Sequence, residues 1–364
     1  MPSCYAGMTY VSFVPLACRR VRVRLTGRVS RHDTRIRWGI LSTGHIASVL
    51  TRDLALLPEE AEVVAVGSRG LEKAQRFAAD YQIPRAYGSY AELANDPEID
   101  VIYVASTHND HLASARLCLE AGKAVLVEKP LTVNAAETEQ VLELARERGL
   151  FVMEALWSRT NPLIRQAAEI VRNGELGAIR HVNASFGFAF DGDESHRLLD
   201  PDQAGGAILD LGVYPVHGVN LFLGEPEDLY GFGTLAPTWV EAHAAALLTF
   251  AATETRPAAT ASIICSLETD LPRRLEVLCT EGSLSFDNLI LPSELTVVRG
   301  TGPDAPEETF VTQWPGGGYT FEIGEVNRCL RAGESESPLV PWQDTLAVAR
   351  TLDRWLQSIH PARA

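Results

Sequence analysis

From residue 35 onward the chain alternates two hydrophobic patterns. Residues 36–41 read as a strand, and short continuous apolar runs at 63–66, 101–105 and 124–127 read as further strands, the last two buried on both faces. Between them, apolar residues recur at helical spacing. Val49, Leu50, Leu54 and Leu57 mark one helix, and Leu71, Ala74, Phe77, Ala78 and Tyr81 mark a second that ends before Pro84. Ser89 with Glu92, and Asn134 with Glu137, cap a short helix and one running to about Gly149. A helix after 101–105 ends at Gly122, a residue suited to the C-terminal cap. Residues 151–153 close the set as a strand. Strands alternating with helices predict a doubly wound parallel sheet, an α/β domain over 35–156.

After Ala155 the pattern changes. Asn161 and Pro162 open a helix to 173–174. Residues 179–190 alternate as a strand, and strand-like runs follow at 247–250, 258–267, 275–279, 284–286 and 295–299. Short loops join several of them, which favours antiparallel pairing. One helix interrupts at about 207–223, and two close the chain at 319–332 and 343–359. Residues 157–364 are therefore expected to form an α+β domain with a large, mostly antiparallel open sheet. Residues 1–34 fit neither pattern. They hold six arginines and one acid, Asp33, and read as a dispensable basic extension.

The net charge of −15 argues against nucleic acid or an anionic membrane as partner. No apolar run is expected to span a bilayer. The six cysteines are scattered without close pairs, so the expectation is a reducing cytoplasm, with no disulfide framework and no zinc site.

Candidate chemistry sits where strands end, the ligand-binding edge of an open parallel sheet. Gly39 through Ala47 form a degraded dinucleotide turn. Gly44 and Ala47 fit the second and third fingerprint positions, Ser42 replaces the first glycine, and His45 and Ile46 open the helix whose N-terminus would take a pyrophosphate. After the second strand the chain reads Gly67-Ser68-Arg69-Gly70, without the acid expected at an NAD site. Ser68, Arg69 and, one turn on, Lys73 suit a 2′-phosphate, so NADP is expected, with NAD possible. The run 124–127 leads into Glu128-Lys129-Pro130, and Lys129 is one of only three lysines in the chain. Asp210 and Tyr214, four apart, share a helix face that His217 extends. His108 and His111 follow a strand end. No further ligand cluster accompanies them, so they read as substrate or cofactor contacts, not metal ligands.

Together these stretches resemble the glucose–fructose oxidoreductase and inositol dehydrogenase family of NAD(P)-dependent oxidoreductases. The Glu128-Lys129-Pro130 triplet, residues 87–90, residues 152–159, residues 204–207 and Asp210 to Tyr214 carry the resemblance, which covers nearly all of residues 35–364. They look closest to the branch of dimeric dihydrodiol dehydrogenases and D-xylose 1-dehydrogenases. The resemblance implies that Lys129, Asp210 and Tyr214 meet the nicotinamide C4 and the substrate hydroxyl. Thr107, His108, Glu128, Trp157 and Arg159 would line the cofactor cleft, and Phe186, Phe188 and Arg197 the substrate pocket. It also implies an NADP-dependent dehydrogenase of a sugar, polyol or dihydrodiol, most simply an aldose oxidised at C1, working as a homodimer through the second sheet. A keto-sugar or dicarbonyl reductase, or an NADP-sensing regulator, would use the same scaffold. As the base, Tyr214 would need its ionisation eased, by Lys129 and the cofactor ring; alternatively Lys129 carries the proton and Tyr214 only orients. Pro215 departs from the pattern and leaves the aim of Tyr214 open.

Overall fold

The computed structural model describes residues 35–254 and 256–360, so the basic segment lies outside the described residues. Its first sheet has strands β1 (Ile36–Leu41), β2 (Ala61–Gly67), β3 (Arg85–Tyr87), β4 (Val101–Val104), β5 (Ala124–Glu128) and β6 (Val152–Ala155). All are parallel, in the order β3-β2-β1-β4-β5-β6. Strand order reverses between β1 and β4, and ligands of such sheets bind at that point. Five helices connect the strands: α1 (His45–Leu54), α2 (Leu71–Tyr81), α3 (Tyr90–Ala94), α4 (His111–Glu120) and α5 (Ala135–Arg148). The Ser89 and Asn134 side chains accept the N–H of Glu92 and Glu137, as capping boxes require.

After α6 (Pro162–Arg172) the second sheet carries β7 (Ile179–Gly187), β8 (Asp228–Leu235), β9 (Glu241–Phe250), β10 (Ala259–Ser266), β11 (Leu275–Cys279), β12 (Gly282–Phe286), β13 (Glu294–Arg299) and β14 (Glu307–Val311). Its order is β14-β13-β12-β11-β7-β10-β9-β8. Every pair is antiparallel except β7 with β10. Those two strands are joined by a long excursion through a helix and two more strands, the kind of crossover that parallel pairing needs. The sequence pattern missed β3, β8 and β14. Two are short edge strands, and β8 is interrupted by Gly231 and Gly233, which let the C-terminal helix pack close. β7 stops at Gly187, short of Phe190.

The interrupting helix α7 (Val213–Leu223) begins as a π turn at Ile208–Gly212. The helical stretch Pro201–Leu223 is long and apolar enough to cross a membrane by length and composition, contrary to the sequence expectation, but 83% of its most apolar window is buried inside the molecule as a core element. Finally α8 (Thr320–Ala332) and α9 (Trp342–Ile359) return to the first sheet. Trp38 Nε1 donates to Asn327 at 3.1 Å, Trp342 Nε1 to the Val152 carbonyl at 2.9 Å, and the Ala135 N–H to Asp353 at 2.9 Å.

Gly212 is a tight joint between the π turn and α9. A Cβ there would stand 2.9 Å from the ring of the fully buried Trp355 and 3.3 Å from Cys265 Sγ. Gly212→Ala is expected to cost ~1–3 kcal/mol through overpacking. Urea unfolding measures it, and an unchanged midpoint would show that α9 has room to yield.

Candidate active site

A cavity of about 790 Å³ opens at the β1/β4 switch and is walled on its far side by β7, α7 and the 287–291 loop. It shares Ser42, Gly44, Arg69 and Tyr90 with a second cavity of about 810 Å³ over α2. Ser42 has φ of 90°, a conformation glycine adopts without strain. The serine thus stands at the position where the fingerprint asks for glycine to make the tight turn. Gly44 caps α1, whose first turn holds no acid and receives no side-chain cap. A Cβ on Gly44 would meet nothing nearer than Ser42 Oγ at 4.0 Å, so the backbone faces open space. That open helix N-terminus fits a pyrophosphate. Ser68, Arg69 and Lys73 line the second cavity, joined by Arg76 and Tyr90, which the sequence reading missed. Arg69 touches Asp110 only at 3.5 Å and is largely exposed, so its guanidinium remains available. The donors and the open backbone fit a dinucleotide.

The chemical groups meet at the other end. Lys129 leaves β5, and its Nζ donates to the Asp210 carbonyl at 2.8 Å and approaches Asp210 Oδ1 at 3.4 Å. The π turn explains this contact. In π register the Asp210 carbonyl would accept the N–H five residues on, but Pro215 has none, and Lys129 donates to it instead. Arg197 Nη1 lies 3.2 Å from the same Oδ1 and His108 Nε2 lies 3.6 Å from it. Burial pushes the Asp210 carboxyl up, but Lys129, Arg197 and His108 outweigh it and hold the group well below the usual carboxylate range. Burial pushes His108 down to about 3 against the pull of Asp210, so the imidazole is neutral. Tyr214 accepts a hydrogen bond from Trp157 Nε1 at 3.1 Å, leaving its own O–H free to donate. Lys129 Nζ sits 5.2 Å from the Tyr214 ring centroid. Burial, with Glu128 and Asp210 nearby, nevertheless raises the phenol above its ordinary value. The easing that a tyrosine base requires is therefore not present in the protein itself. Glu128, raised by burial, turns its carboxyl to the Tyr103 hydroxyl and to the Lys129 N–H.

Thr107, His108, Glu128, Trp157, Phe186, Phe188 and Arg197 all line the cleft, as do Ser42, His45 and Ile46. Three expected contacts do not stand as read. Arg159 is buried in an ion pair with Asp344 at 2.9 Å and a hydrogen bond to Asn220 at 2.8 Å, away from the cleft wall. Gly39 is inside β1, where a Cβ would come 2.8 Å from Ile99; it serves packing. His111 borders the cleft, but its ring nitrogens face the Pro130 carbonyl at 2.8 Å and the Ser106 carbonyl at 3.1 Å, which ties the Lys129-Pro130 turn to the end of β4. His217 does not extend the Asp210 face into the cleft. It pairs with Glu154 at 3.1 Å, and Glu154 accepts the Leu131 N–H at 3.1 Å, fixing the same turn from below. The sequence reading also missed Tyr319, which stacks on Trp157 at 4.5 Å, and Arg273. The glycine run before Tyr319 was a usable signal; Arg273 had none.

The chain matches the family model described as an oxidoreductase family with an NAD-binding Rossmann fold over residues 36–156, and the GFO/IDH/MocA C-terminal domain over residues 164–285. It is 39% identical to the mouse (Mus musculus) trans-1,2-dihydrobenzene-1,2-diol dehydrogenase over 332 residues, 89% of this chain and 97% of the relative. The human (Homo sapiens) enzyme of that name is 38% identical over 333 residues, again 89% and 97%. Among solved structures, the 3-ketoreductase KijD10 from Actinomadura kijaniata, in complex with NADP and TDP-benzene, superposes with a TM-score of 0.78 at 27% identity, covering 90% of this chain and 98% of that one.

The neutral His108 makes a prediction of definite sign. Its folded pKa of about 3 lies below the ordinary ~6.5, so between those values the unfolded chain binds a proton that the folded chain does not. Stability is therefore lost as pH falls through that window. His108→Gln is expected to flatten the loss by up to ~1.4 kcal/mol per pH unit. Urea unfolding between pH 6 and 4 reads it; equal slopes would show that folded His108 is charged.

Proposed function

We propose, from the premise that this chain belongs to the GFO/IDH/MocA family of oxidoreductases, that it is an NADP-dependent dehydrogenase oxidising a sugar or related diol, in the simplest case an aldose at C1. The chain is an NAD(P)-binding enzyme acting on CH–OH groups, related to dihydrodiol dehydrogenases and to sugar dehydrogenases and ketoreductases. The observation that carries the finer reading is the meeting of Lys129, Asp210, Tyr214 and His108 at one end of a cleft whose other end is the Gly44 turn with Ser68 and Arg69 beyond it.

Bound NADP would supply the hydride acceptor. Ser42, Gly44 and the start of α1 would hold its pyrophosphate, and Ser68, Arg69 and Lys73 would hold the 2′-phosphate. Trp157 and Tyr319, stacked together, wall the nicotinamide end and exclude water. Tyr214 donates a hydrogen bond to the substrate oxygen and keeps its own proton, in keeping with the raised phenol. Lys129 Nζ is the atom through which the hydroxyl proton passes, and Asp210 fixes that atom from two sides. Of the alternatives the sequence leaves open, we take Lys129 as the carrier and Tyr214 as the orienter, which the raised phenol supports. Carbonyl reduction would run through the same groups in reverse. A homodimer joined through the open face of the eight-stranded sheet is supported by Tyr230, Phe232 and Leu247, apolar residues exposed on that sheet.

Lys129→Ala is expected to lose at least ~10²-fold in kcat while the Kd for NADP stays close to wild type. Turnover near the wild-type rate would leave this lysine a structural role only. For the cofactor, Arg69→Ala is expected to lower the preference for NADP over NAD by about 10- to 150-fold, the worth of one hydrogen bond to a charged group. Fluorescence titration with both nucleotides measures it. A wild-type protein that binds NAD as tightly as NADP would overturn the cofactor assignment.

A further inference from the structure

We propose, on the dehydrogenase reading just given, that the substrate is anionic, and that Arg273 binds a carboxylate or phosphate carried away from the reacting carbon. Arg273 lines the cleft on the wall built by β7, opposite the dinucleotide turn. Its guanidinium carbon lies 5.3 Å from the centroid of the Phe186 ring. The backbone that carries it is pinned on both sides. The Arg273 carbonyl accepts the Leu289 N–H at 2.7 Å, the Arg274 carbonyl accepts the Ser185 N–H at 2.9 Å, and Ser185 Oγ donates to the Pro272 carbonyl at 2.5 Å. A side chain rooted this firmly sweeps a small arc beside the pocket.

Its neighbour shows the difference between a structural and an available arginine. Arg274 is paired with Glu276 at 2.5 Å. Arg273 has no carboxylate within 4.0 Å among the described residues, and its guanidinium rests over the Phe186 ring. Such a ring holds the cation through its negative face without using its N–H groups. Those groups remain free to fork onto two oxygens of one anion.

Charge around this end of the cleft points the same way. Lys129 and Arg197 both lie against Asp210, Arg273 lines the same cavity, His108 is neutral, and the other carboxyl at this end, Glu128, turns inward to Tyr103. A cationic end in a chain of net charge −15 is a local reversal of sign, which concentrates anions in the cleft. Asp210 occupies Lys129 and Arg197, so Arg273 is the cation left for the substrate. The apolar Phe186, Phe188 and Ile290 beside it lower the local dielectric and strengthen the pairing.

The test compares D-glucose, D-glucuronate and D-glucose 6-phosphate as substrates for NADP reduction, with wild type, Arg273→Gln and Arg273→Glu. In wild type the better anionic sugar is expected to exceed glucose in kcat/KM by about 10- to 100-fold, and that ratio should collapse in Arg273→Gln and invert in Arg273→Glu. The advantage should also shrink between 0.05 and 0.5 M KCl. A preference for glucuronate identifies a carboxylate, and one for the 6-phosphate a phosphate. Equal kcat/KM for neutral and anionic sugars in wild type overturns the proposal, as does a loss in Arg273→Gln that is the same for both. Calorimetric titration of the NADPH complex with glucuronate and with glucose 6-phosphate separates the two readings. If no sugar is oxidised, the proposed reaction fails, while anion binding abolished by Arg273→Gln would still sustain the anionic site. No binding of either anion together with no turnover overturns both.

Discussion

A carboxylate taken out of water must be neutralised where it sits, and Asp210 is the group on which that requirement falls hardest. Its side chain is one-tenth exposed, and the groups around it come from three separate segments: the cations Lys129 from the end of β5 and Arg197 from the loop before α7, which balance its charge, and the neutral His108 from the turn after β4. Removing one partner from such a cluster leaves an unpaired buried charge, which costs several kcal/mol. The cluster therefore fixes the position of α7 against the strand ends of the first sheet as firmly as it fixes Lys129. Pro215 is part of the same device. By withholding one N–H it leaves the Asp210 carbonyl to Lys129, so the ammonium is held by a backbone dipole as well as by a carboxylate.

Beneath this cluster a second polar layer locks the scaffold. Glu154, pushed up by burial but pulled lower by His217, ties the turn after Lys129 to α7, and Arg159 joins α7 to α9 through Asn220 and Asp344. None of these side chains faces the cleft; they act on the chemistry by holding the elements that do. A third acid, Glu322, is fully buried with neither oxygen partnered, and burial beside Glu128 and Asp53 raises its carboxyl well above the ordinary value. The α1 helix shares in this tie, because Asp53 accepts the Gly317 and Tyr319 N–H groups and so holds the ring that stacks on Trp157.

Sequence alone determined most of the elements, β3, β8 and β14 excepted, and the edge at which the site lies. Continuous apolar runs, caps at Ser89 and Asn134, and the Gly44 turn report local physics: side chains that need burial on both faces, and backbone groups that need a partner within four residues. The same locality placed Lys129 at a strand end and Asp210 on a helix face with Tyr214. Tertiary structure decided which charges meet. Lys129 and Asp210 are 81 residues apart, Arg159 and Asp344 185. Composition treats Arg159, Arg197, Arg273 and Arg274 alike, yet one is buried in a strut, one balances Asp210, one faces the cleft and one is paired at the surface. The same holds for His108, His111 and His217, whose roles are set by the carbonyls and carboxylates that folding brings to them. Electrostatic energy depends on distance through space and on burial, and neither quantity is written in a local pattern of residues.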